Sequence, residues 1–428
     1  MAAETPRSVR KVPRGGGAAA GEDRPATDPG EEETGAHAGV RGRRRAFLLL
    51  AYLFAAVMLG TTLPTPLYVL YQAQWHFSAT TVTLIFAVYA AGVLAALLLA
   101  GSSSDQVGRR PVLAAALGSS AVSTAVFIVA PSLGWLFVAR ILSGLSAGLV
   151  TGTATAALTE TGTNPRRSSR VATAANMGGL ALGPLVAGLF AQYGSNPTVL
   201  VFEVYLGILA LAAVALLLVR ESVVDRSRLS LRFHGLGIPQ SSRQEYLAAG
   251  LAGFVAFSLL GLFSALAPSF LGQVLHETNH AVEGAVVFAM FGSATVTQLV
   301  AARFESRRVV FFGLAVFLVA LALIVSGLSA ASLAVFVVGA VVGGIGAGSV
   351  FLGSLATANR LAPPAERGRV VSTFFVFCYV GLTIPVIGVG IASVHVGDFR
   401  AVLVCSIVLA VLSLVSIAGM RRAAITRP

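Results

Sequence analysis

The chain has 428 residues, of which 56% are hydrophobic and only 11% are charged, and its formal net charge is +12. Soluble domains carry about 25% charged residues, so this composition excludes an ordinary soluble protein and favours a lipid environment. In a soluble protein, the positive charge would suggest a nucleic-acid partner. The two cysteines, Cys378 and Cys405, lie inside apolar runs, which indicates packed thiols rather than a disulfide.

Residues 1–45 differ in kind from the rest of the chain. They are rich in Gly, Ala, Pro, Arg and Glu and contain no apolar segment of the kind found in a signal peptide. Low hydrophobicity with many charges is typical of segments that cannot bury a core. We therefore predict a disordered tail over residues 1–45.

Twelve apolar runs follow the tail. A bilayer core requires about 20 mostly apolar residues per helix. The runs lie at 46–72, 80–101, 111–130, 134–157, 171–193, 198–219, 246–273, 281–302, 308–327, 331–358, 370–394 and 399–420. The pattern predicts an all-α integral membrane protein with twelve transmembrane helices.

The longest polar connection, residues 220–245, separates the sixth run from the seventh. It divides the apolar region into residues 46–219 and 246–420, with a short tail at 421–428. The sequence "RRSSRVATAA" opens the fifth run, and "ERGRVVSTFF" opens the eleventh in a similar way. This similarity indicates an internal duplication, so we predict two pseudo-symmetric six-helix bundles joined by a linker.

The basic residues fall on alternate loops. With the N-terminus in the cytoplasm, 28 of the 30 Lys and Arg residues lie on the cytoplasmic side, and the exceptions are Arg140 and Arg400. Basic residues in short loops are retained on that side during insertion. The positive charge therefore indicates topology rather than a nucleic-acid partner, and we predict a cell-membrane protein with both termini in the cytoplasm.

The loop "GSSSDQVGRRPVL" between the second and third runs places one acid among basic residues. It lacks the G-x-x-x-x-G-K-[ST] pattern of a phosphate loop, and no strand precedes it. Gly108 and Pro111 are sufficient for a tight turn. They leave Asp105 unexplained, because an acid at a basic face gains only from capping a helix or pairing with an arginine.

This loop resembles the signature G-x-L-x-D-R-x-G-R-[KR]-x-x-L of the major facilitator superfamily. Ser103 and Gln106 depart from the pattern, and the residues that match it are Gly101, Asp105, Gly108, Arg109, Arg110 and Leu113. The resemblance implies a transporter fold in which Asp105 holds the two halves together in one state, by contact with the start of the eleventh helix. Arg367 and Arg369 lie at that start.

Two glycine patterns strengthen the resemblance. The fourth run resembles the R-x-x-x-G-x-x-x-G helix of the family through Arg140, Gly144, Gly148 and Gly152. The fifth run resembles its G-x-x-x-G-P-x-x-[GA]-G element through Gly179, Gly183, Pro184, Ala187 and Gly188. Small residues four apart also serve general helix packing. In the superfamily the second element is typical of exporters, particularly proton-coupled drug antiporters.

Arg140 and Glu203 are charges inside apolar runs, where charge is expensive and indicates function. Both lie about one and a half turns from the outer end of their runs, so we predict a proton-responsive pair. The alternative is that each side chain reaches separately to the outer interface. The first run contains no acidic residue, whereas many drug antiporters of the family carry one in their first helix.

The family places its substrate cavity along helices one, four, seven and ten. Candidate cavity residues on those runs are Tyr68, Tyr71, Thr151 and Phe263. The sequences "TLPTPLY" in run one and "LAPSF" in run seven predict matching helix interruptions, a pattern that points to a substrate path. Few charges in the lining favour a lipophilic or weakly polar solute.

The sequence "HETNH" at residues 276–280 matches the H-E-x-x-H zinc motif of metalloproteases. That motif requires a helix, whereas these residues fill a short loop with turn-forming Thr278 and Asn279. We therefore expect no metal and no enzymatic activity.

The sequence predicts a monomeric secondary transporter without a cofactor, which exports a small molecule in exchange for protons by alternating access. Two alternatives stay open. One is a transporter-like membrane sensor that binds a ligand without moving it, and the other is an importer of the same fold.

Overall fold

The computed structural model describes residues 29–101, 103–223 and 235–425. Residues 1–28 of the tail predicted at 1–45, residues 224–234 of the linker predicted at 220–245 and the last three residues lie outside the described residues. Residues 43–428 form one compact unit, and the division into bundles at 46–219 and 246–420 stays a prediction. Below, the N-terminal half denotes residues 43–223 and the C-terminal half residues 235–425.

The described residues contain helices and no strand. The helices are α1 Pro29–Thr62, α2 Tyr68–Trp75, α3 Ala79–Ala100, α4 Ser103–Val107, α5 Arg109–Val129, α6 Leu133–Thr161, α7 Pro165–Tyr193, α8 Pro197–Leu217, α9 Arg243–Gln273, α10 His280–Ala301, α11 Ser306–Ser329, α12 Leu333–Leu361, α13 Arg367–Val396 and α14 Asp398–Ile425. All except α2 and α4 are long and apolar enough to cross a membrane. The prediction of twelve spanning helices is confirmed.

Side chains before the helices satisfy the first backbone N–H groups, which have no partner inside a helix. The Ser78 side chain accepts from the Thr81 N–H before α3. Asn164 accepts from the N–H groups of Arg166 and Arg167 at the start of α7, where Pro165 fits the first turn. The same residue type, Asn279, caps α10. These caps fix the loop ends from which the membrane helices start.

The helices differ from the predicted runs in several bounds and in one predicted interruption. Helix α1 begins at Pro29 rather than residue 46, and residues 30–45 contain no proline that would interrupt it. Helix α14 continues to Ile425, into the predicted tail. The interruption that differs is the one predicted in run seven. Helix α9 stays continuous through Pro268, since one missing N–H removes a single backbone hydrogen bond.

The two halves contact each other at the end of the bundle opposite the basic loops, hereafter the far end. The loops with residues 101–108 and 218–223 define the other, basic end. At the far end, the Thr80 hydroxyl donates to the Gly390 carbonyl at 2.8 Å, and the His280 N–H donates to Gln192 Oε1 at 2.9 Å. At the basic end, the Arg109–Glu160 and Arg360–Glu245 pairs each join residues of one half.

Candidate functional site

The first membrane helix is broken between Leu63 and Leu67. Pro64 and Pro66 lack N–H groups, so a continuous helix would lose two hydrogen bonds within one turn. The chain instead makes short turns, with the Thr65 N–H donating to the Thr62 carbonyl at 3.1 Å. In a continuous helix that N–H would bond the Thr61 carbonyl. The break therefore leaves the Thr61 carbonyl available to a side chain, and the interruption predicted in run one is confirmed.

Arg140 on α6 occupies that carbonyl. Its side chain is fully buried, and Nη1 donates to the Thr61 carbonyl at 2.6 Å. The guanidinium carbon lies 4.5 Å from the ring centre of Tyr89 and 5.7 Å from that of Phe86. Such stacking stabilises a cation electrostatically. Nε and Nη2 of Arg140 have no hydrogen-bond partner within the described structure.

The structure does not bring Arg140 and Glu203 together. Glu203 is exposed on α8, whereas its neighbours Phe202 and Tyr205 are buried. Each residue turns about 100° from the next along a helix, so Glu203 points away from the core that holds Arg140. The predicted proton-responsive pair is therefore wrong in this structure, although both residues lie near the same end of their helices.

Tyr68 and Tyr71 lie on α2, directly after the break. Both side chains are buried, and neither hydroxyl has a hydrogen-bond partner within the described structure. Arg140 is close enough to Tyr68, and Tyr68 to Tyr71, for electrostatic interaction. Tyr71 also stacks on Trp75, with ring centres 5.2 Å apart. Tyr68 thus lies near the buried charge, and Tyr71 lies near Tyr68.

The other two predicted cavity residues lie elsewhere. The Thr151 hydroxyl donates to the Ala147 carbonyl on its own helix and lies 4.0 Å from the Met58 sulfur. Phe263 stacks on Phe336 inside the C-terminal half. There it lines an internal apolar cavity of about 20 Å³, which has room for about one water molecule. The structure therefore does not unite the four residues in one cavity.

Sequence reasoning missed an aromatic cluster on α9, α12 and α13. Phe257 lies 5.2 Å from Phe351 and 5.7 Å from Tyr379, measured between ring centres. Phe374 and Phe375 extend the cluster along α13. Tyr379 is also close to Tyr89 of the N-terminal half. Aromatic pairs of this kind bind flat rings well, and the signal in the sequence is the aromatic run "STFFVFCY" at residues 372–379.

The glycines of α6 allow close contact with α3. Gly144 packs against the Tyr89 backbone and Gly92, and Gly148 packs against Val93 and Ala96. A side chain at either position would overlap these neighbours, as expected for small residues four apart. Gly152 differs, because open space surrounds its α-carbon.

The predicted exporter element on α7 makes two contacts. Gly179 and Gly183 pack against α1, around Ala55 and Leu59. One turn later, Pro184 and Gly188 pack against Gly284 of α10, in the other half. The element therefore joins the broken first helix to the contact between the halves.

Thr62 satisfies the carbonyl that Pro184 leaves open. Proline has no N–H for the carbonyl four residues earlier, which here belongs to Leu180. The Thr62 hydroxyl donates to that carbonyl at 2.8 Å. This bond allows α7 to continue through a proline and ties α7 to the last residue of α1.

At the basic end, Glu221 caps the start of α5. Its carboxylate accepts the N–H groups of Arg109 and Arg110, each at 2.9 Å, and two more from Ser222 and Val223. Gly108 before the helix has φ +110°, and a side chain there would strike Glu221. Burial alone would raise the pKa of Glu221, but these four donors lower the pKa below its ordinary value.

The signature loop pairs its charges within the N-terminal half. Asp105 is exposed and lies 2.6 Å from Arg109 Nη1. Arg109 Nη2 in turn lies 2.7 Å from Glu160 at the end of α6. Gly101 ends the second spanning helix, after α3. One of the expected partners of Asp105, Arg369, instead donates to the Leu236 carbonyl in the C-terminal half. Among the described residues, the ion pair of Asp105 is with Arg109 and not with the start of α13.

The "HETNH" residues straddle a loop and a helix start. His276 has φ +54°, and α10 begins at His280, so the helix that a zinc motif requires is missing from this segment. His280 Nδ1 instead lies 3.0 Å from Glu283 Oε2, and the Glu283 side chain is 2% exposed. Among the described residues no group of three metal-ligating side chains occurs.

Comparisons with known proteins agree with this arrangement. A family model described as Major Facilitator Superfamily matches residues 47–304. The tetracenomycin C resistance and export protein of Streptomyces glaucescens is 26% identical over 267 residues, which are 60% of this chain and 49% of that protein. The chain thus spans about half the length of the curated relative it matches.

Solved transporter structures share the fold. A bacterial homolog of the human lysosomal transporter Spinster, inward-facing and unoccupied, has a TM-score of 0.65 and 13% identity over 89% of this chain and 97% of its own. The human organic anion transporter MFSD10 has a TM-score of 0.63 and 19% identity over 87% of this chain and 99% of its own. At these identities the likeness concerns the fold alone. With twelve apolar helices, the signature loop and a family model that matches more than half of its length, the chain belongs to the Major Facilitator Superfamily of membrane transporters.

Proposed function

We propose that this chain exports a small lipophilic or weakly polar compound across the cell membrane in exchange for protons. The observation that carries the proposal is the contact of Pro184 and Gly188 with Gly284, since the exporter-type element itself joins the two halves at the far end. The relative from Streptomyces, named for resistance and export, supports the same direction. The basic end then faces the cytoplasm.

Alternating access requires the far-end contact to break and the basic end to close. In the proposed cycle, Asp105 leaves Arg109 and reaches the start of α13, where Arg367 and Arg369 lie. The exposure of Asp105 is consistent with such an exchange of partners. An Asp105→Asn variant that inserts normally but loses transport would support this role, whereas normal transport would remove it.

The pair His280–Glu283 supports proton coupling. Glu283 is buried where α10 meets α7 of the other half, and the His280 backbone bonds Gln192 across that contact. Opening the far end exposes the pair to water, so its protonation is coupled to the conformation. Glu277, the nearest acid on the preceding loop, accepts the Asn279 N–H.

The direct test is solute uptake into inverted membrane vesicles under an imposed pH gradient, acidic inside. The probes are ethidium, Nile red and fluorescein, which are cationic, neutral and anionic aromatic compounds. We expect at least one probe to accumulate, and an uncoupler to abolish the accumulation. Binding without accumulation would favour a sensor, and movement in the opposite direction would favour an importer.

Two substitutions of intramembrane glutamates test this coupling. One replaces the buried Glu283, and the other replaces the exposed Glu203 and serves as the matched control. Glu283→Gln removes the buried carboxyl, so we expect uptake to lose its dependence on the pH gradient. Glu203→Gln changes an exposed carboxyl on α8 and should transport like the wild type. Equal behaviour of both variants would contradict the role of Glu283 in coupling.

A further inference from the structure

We propose that Arg140, together with the hydroxyls of Tyr68 and Tyr71, binds the anionic group of a planar aromatic weak acid. This inference rests on the proposed function and narrows its substrate class. It starts from a charge without a counter-charge at the broken first helix.

A fully buried guanidinium is expensive unless an anion pairs with it. The hydrogen bond to the Thr61 carbonyl uses one of its nitrogen atoms, and Nε and Nη2 stay unpartnered. The described intramembrane acids do not supply the counter-charge. Glu203 is exposed on another helix, and Glu283 is paired with His280. The missing partner is therefore a ligand that carries its own negative charge.

The unpartnered groups around Arg140 match a two-oxygen anion. Arginine donates hydrogen bonds and accepts none, and Nε with Nη2 forms the edge that binds a carboxylate through two parallel bonds. Tyr68 interacts electrostatically with Arg140, and Tyr71 with Tyr68. Their hydroxyls have no hydrogen-bond partner among the described residues and add two further donors. A ligand amine would repel the guanidinium, and an alcohol would satisfy too few of these donors.

The walls of the site are aromatic. The guanidinium rests on Tyr89 and Phe86, and Tyr71 stacks on Trp75. Tyr89 is close to Tyr379, which leads into the cluster around Phe257. A flat ring stacks favourably on such faces, so the anionic group belongs to a planar aromatic compound.

The site is closed in the present state. Arg140 and Tyr68 are at most 1% exposed, and Leu63 and Leu67 of the break are fully buried beside them. We therefore place binding in a state in which the turn at Leu63–Leu67 has moved. Because the backbone here makes hydrogen bonds between residues three apart, at 3.1 to 3.4 Å, in place of a continuous helical ladder, it is the part of the first helix that costs least to rearrange.

The test measures binding by calorimetry to the full chain in lipid nanodiscs, with empty nanodiscs subtracted. The probes are matched pairs: naphthalene carboxylate with naphthalene methanol, and anthracene carboxylate with anthracene methanol. Members of a pair share the ring and differ in charge. We expect the carboxylate to bind about tenfold more tightly in at least one pair, since hydrogen bonds to charged groups are the stronger ones.

Four variants locate the preference. Arg140→Gln should abolish it. Tyr68→Phe and Tyr71→Phe keep the rings and should each weaken carboxylate binding severalfold without changing binding of the methanol. Tyr52→Phe is the control, because its hydroxyl bonds the Ile208 carbonyl at the exposed surface of α1 and should change neither. If Arg140→Gln does not fold, the two tyrosine variants carry the test.

The proposal is overturned if no carboxylate binds, if both members of every pair bind equally, or if the preference survives in all three site variants. Vesicle uptake separates this outcome from failure of the proposed function. Uptake of ethidium or Nile red without carboxylate binding would leave export intact and remove the anion site. Carboxylate binding without uptake of any probe would support the anion site and contradict the proposed export.

Discussion

Helices α6 and α12 are counterparts in the two halves, and they differ at one buried position. Each has 29 residues. Gly144 and Gly148 pack α6 on α3, while Gly344 and Gly348 pack α12 on α10. The position of Arg140, however, is occupied by Ala340 in the second helix, and both side chains are fully buried. The two helices share the packing surface, whereas the buried charge lies in the N-terminal half.

The neighbouring helices explain why the charge lies in the N-terminal half. Two prolines break the first helix and direct the Thr61 carbonyl to Arg140. In the C-terminal half α9 has one proline and stays helical, and Phe263 of α9 stacks on Phe336 of α12. The N-terminal half therefore offers a polar site, and the C-terminal half offers an apolar wall.

The largest effect is expected from Ala340→Arg, which places in the C-terminal half the buried charge that Arg140 provides in the N-terminal half. A buried, unpaired charge costs about 3–5 kcal/mol or more, so we expect loss of folded protein. Size-exclusion chromatography of detergent-extracted protein measures the yield. The control is Ala334→Arg, an exposed position near the start of α12, where the side chain reaches the interface. A well-folded Ala340→Arg protein would show that the halves tolerate charge equally.

The second prediction tests the shared packing surface. Gly144→Val and Gly344→Val each place a side chain against the backbone of a neighbouring helix, and we expect both to destabilise by about 1–3 kcal/mol. Thermal unfolding in detergent measures the loss.

Gly118→Val and Gly388→Val are the controls for these glycines, because open space surrounds both positions. The control variants should unfold like the wild type. If one glycine of the pair tolerated valine and the other did not, the two interfaces would not be equivalent.

The sequence predicted the helices better than the site, for a physical reason. Span length and loop charge are one-dimensional signals, so twelve helices and the signature loop were readable. The rotation of a helix was not, because lipid and core are both apolar and leave little contrast between faces. Glu203 illustrates this point: its depth matched that of Arg140, but its neighbours Phe202 and Tyr205 face the core instead.

Contacts distant in sequence were equally hidden. The doublet of Pro64 and Pro66 was a readable helix breaker, and it broke the first helix. That the freed carbonyl would accept Arg140 depends on tertiary packing over 79 positions. Likewise, Glu221 was counted with the linker, and nothing in its local sequence indicated that it caps α5.

The third prediction tests why α7 stays helical through Pro184. Thr62→Val removes the donor to the Leu180 carbonyl and should cost about 1 kcal/mol. Pro184→Ala supplies a backbone N–H to the same carbonyl, so in that background Thr62→Val should cost clearly less. A double-mutant cycle from thermal unfolding measures the difference. Additive costs would show that the carbonyl does not depend on Thr62.

The smallest expected effect concerns the start of the third spanning helix in each half, which is α5 in the first half and α11 in the second. Glu221 caps α5 through backbone N–H groups, whereas Glu305 before α11 makes no such bond and pairs with Arg308 at the exposed surface. Glu221→Ala should therefore cost about 0.5 kcal/mol, and Glu305→Ala should cost close to nothing.

The dependence on pH follows from the lowered pKa of Glu221. A carboxyl with a lowered folded-state pKa contributes its full stabilisation above its ordinary pKa of 4.5 and loses it as the pH falls through the folded value. The difference in unfolding temperature between the wild type and Glu221→Ala should thus be constant around neutral pH and shrink below the ordinary pKa. A difference that grows on acidification would mean that the protonated carboxyl, and not the carboxylate, holds α5.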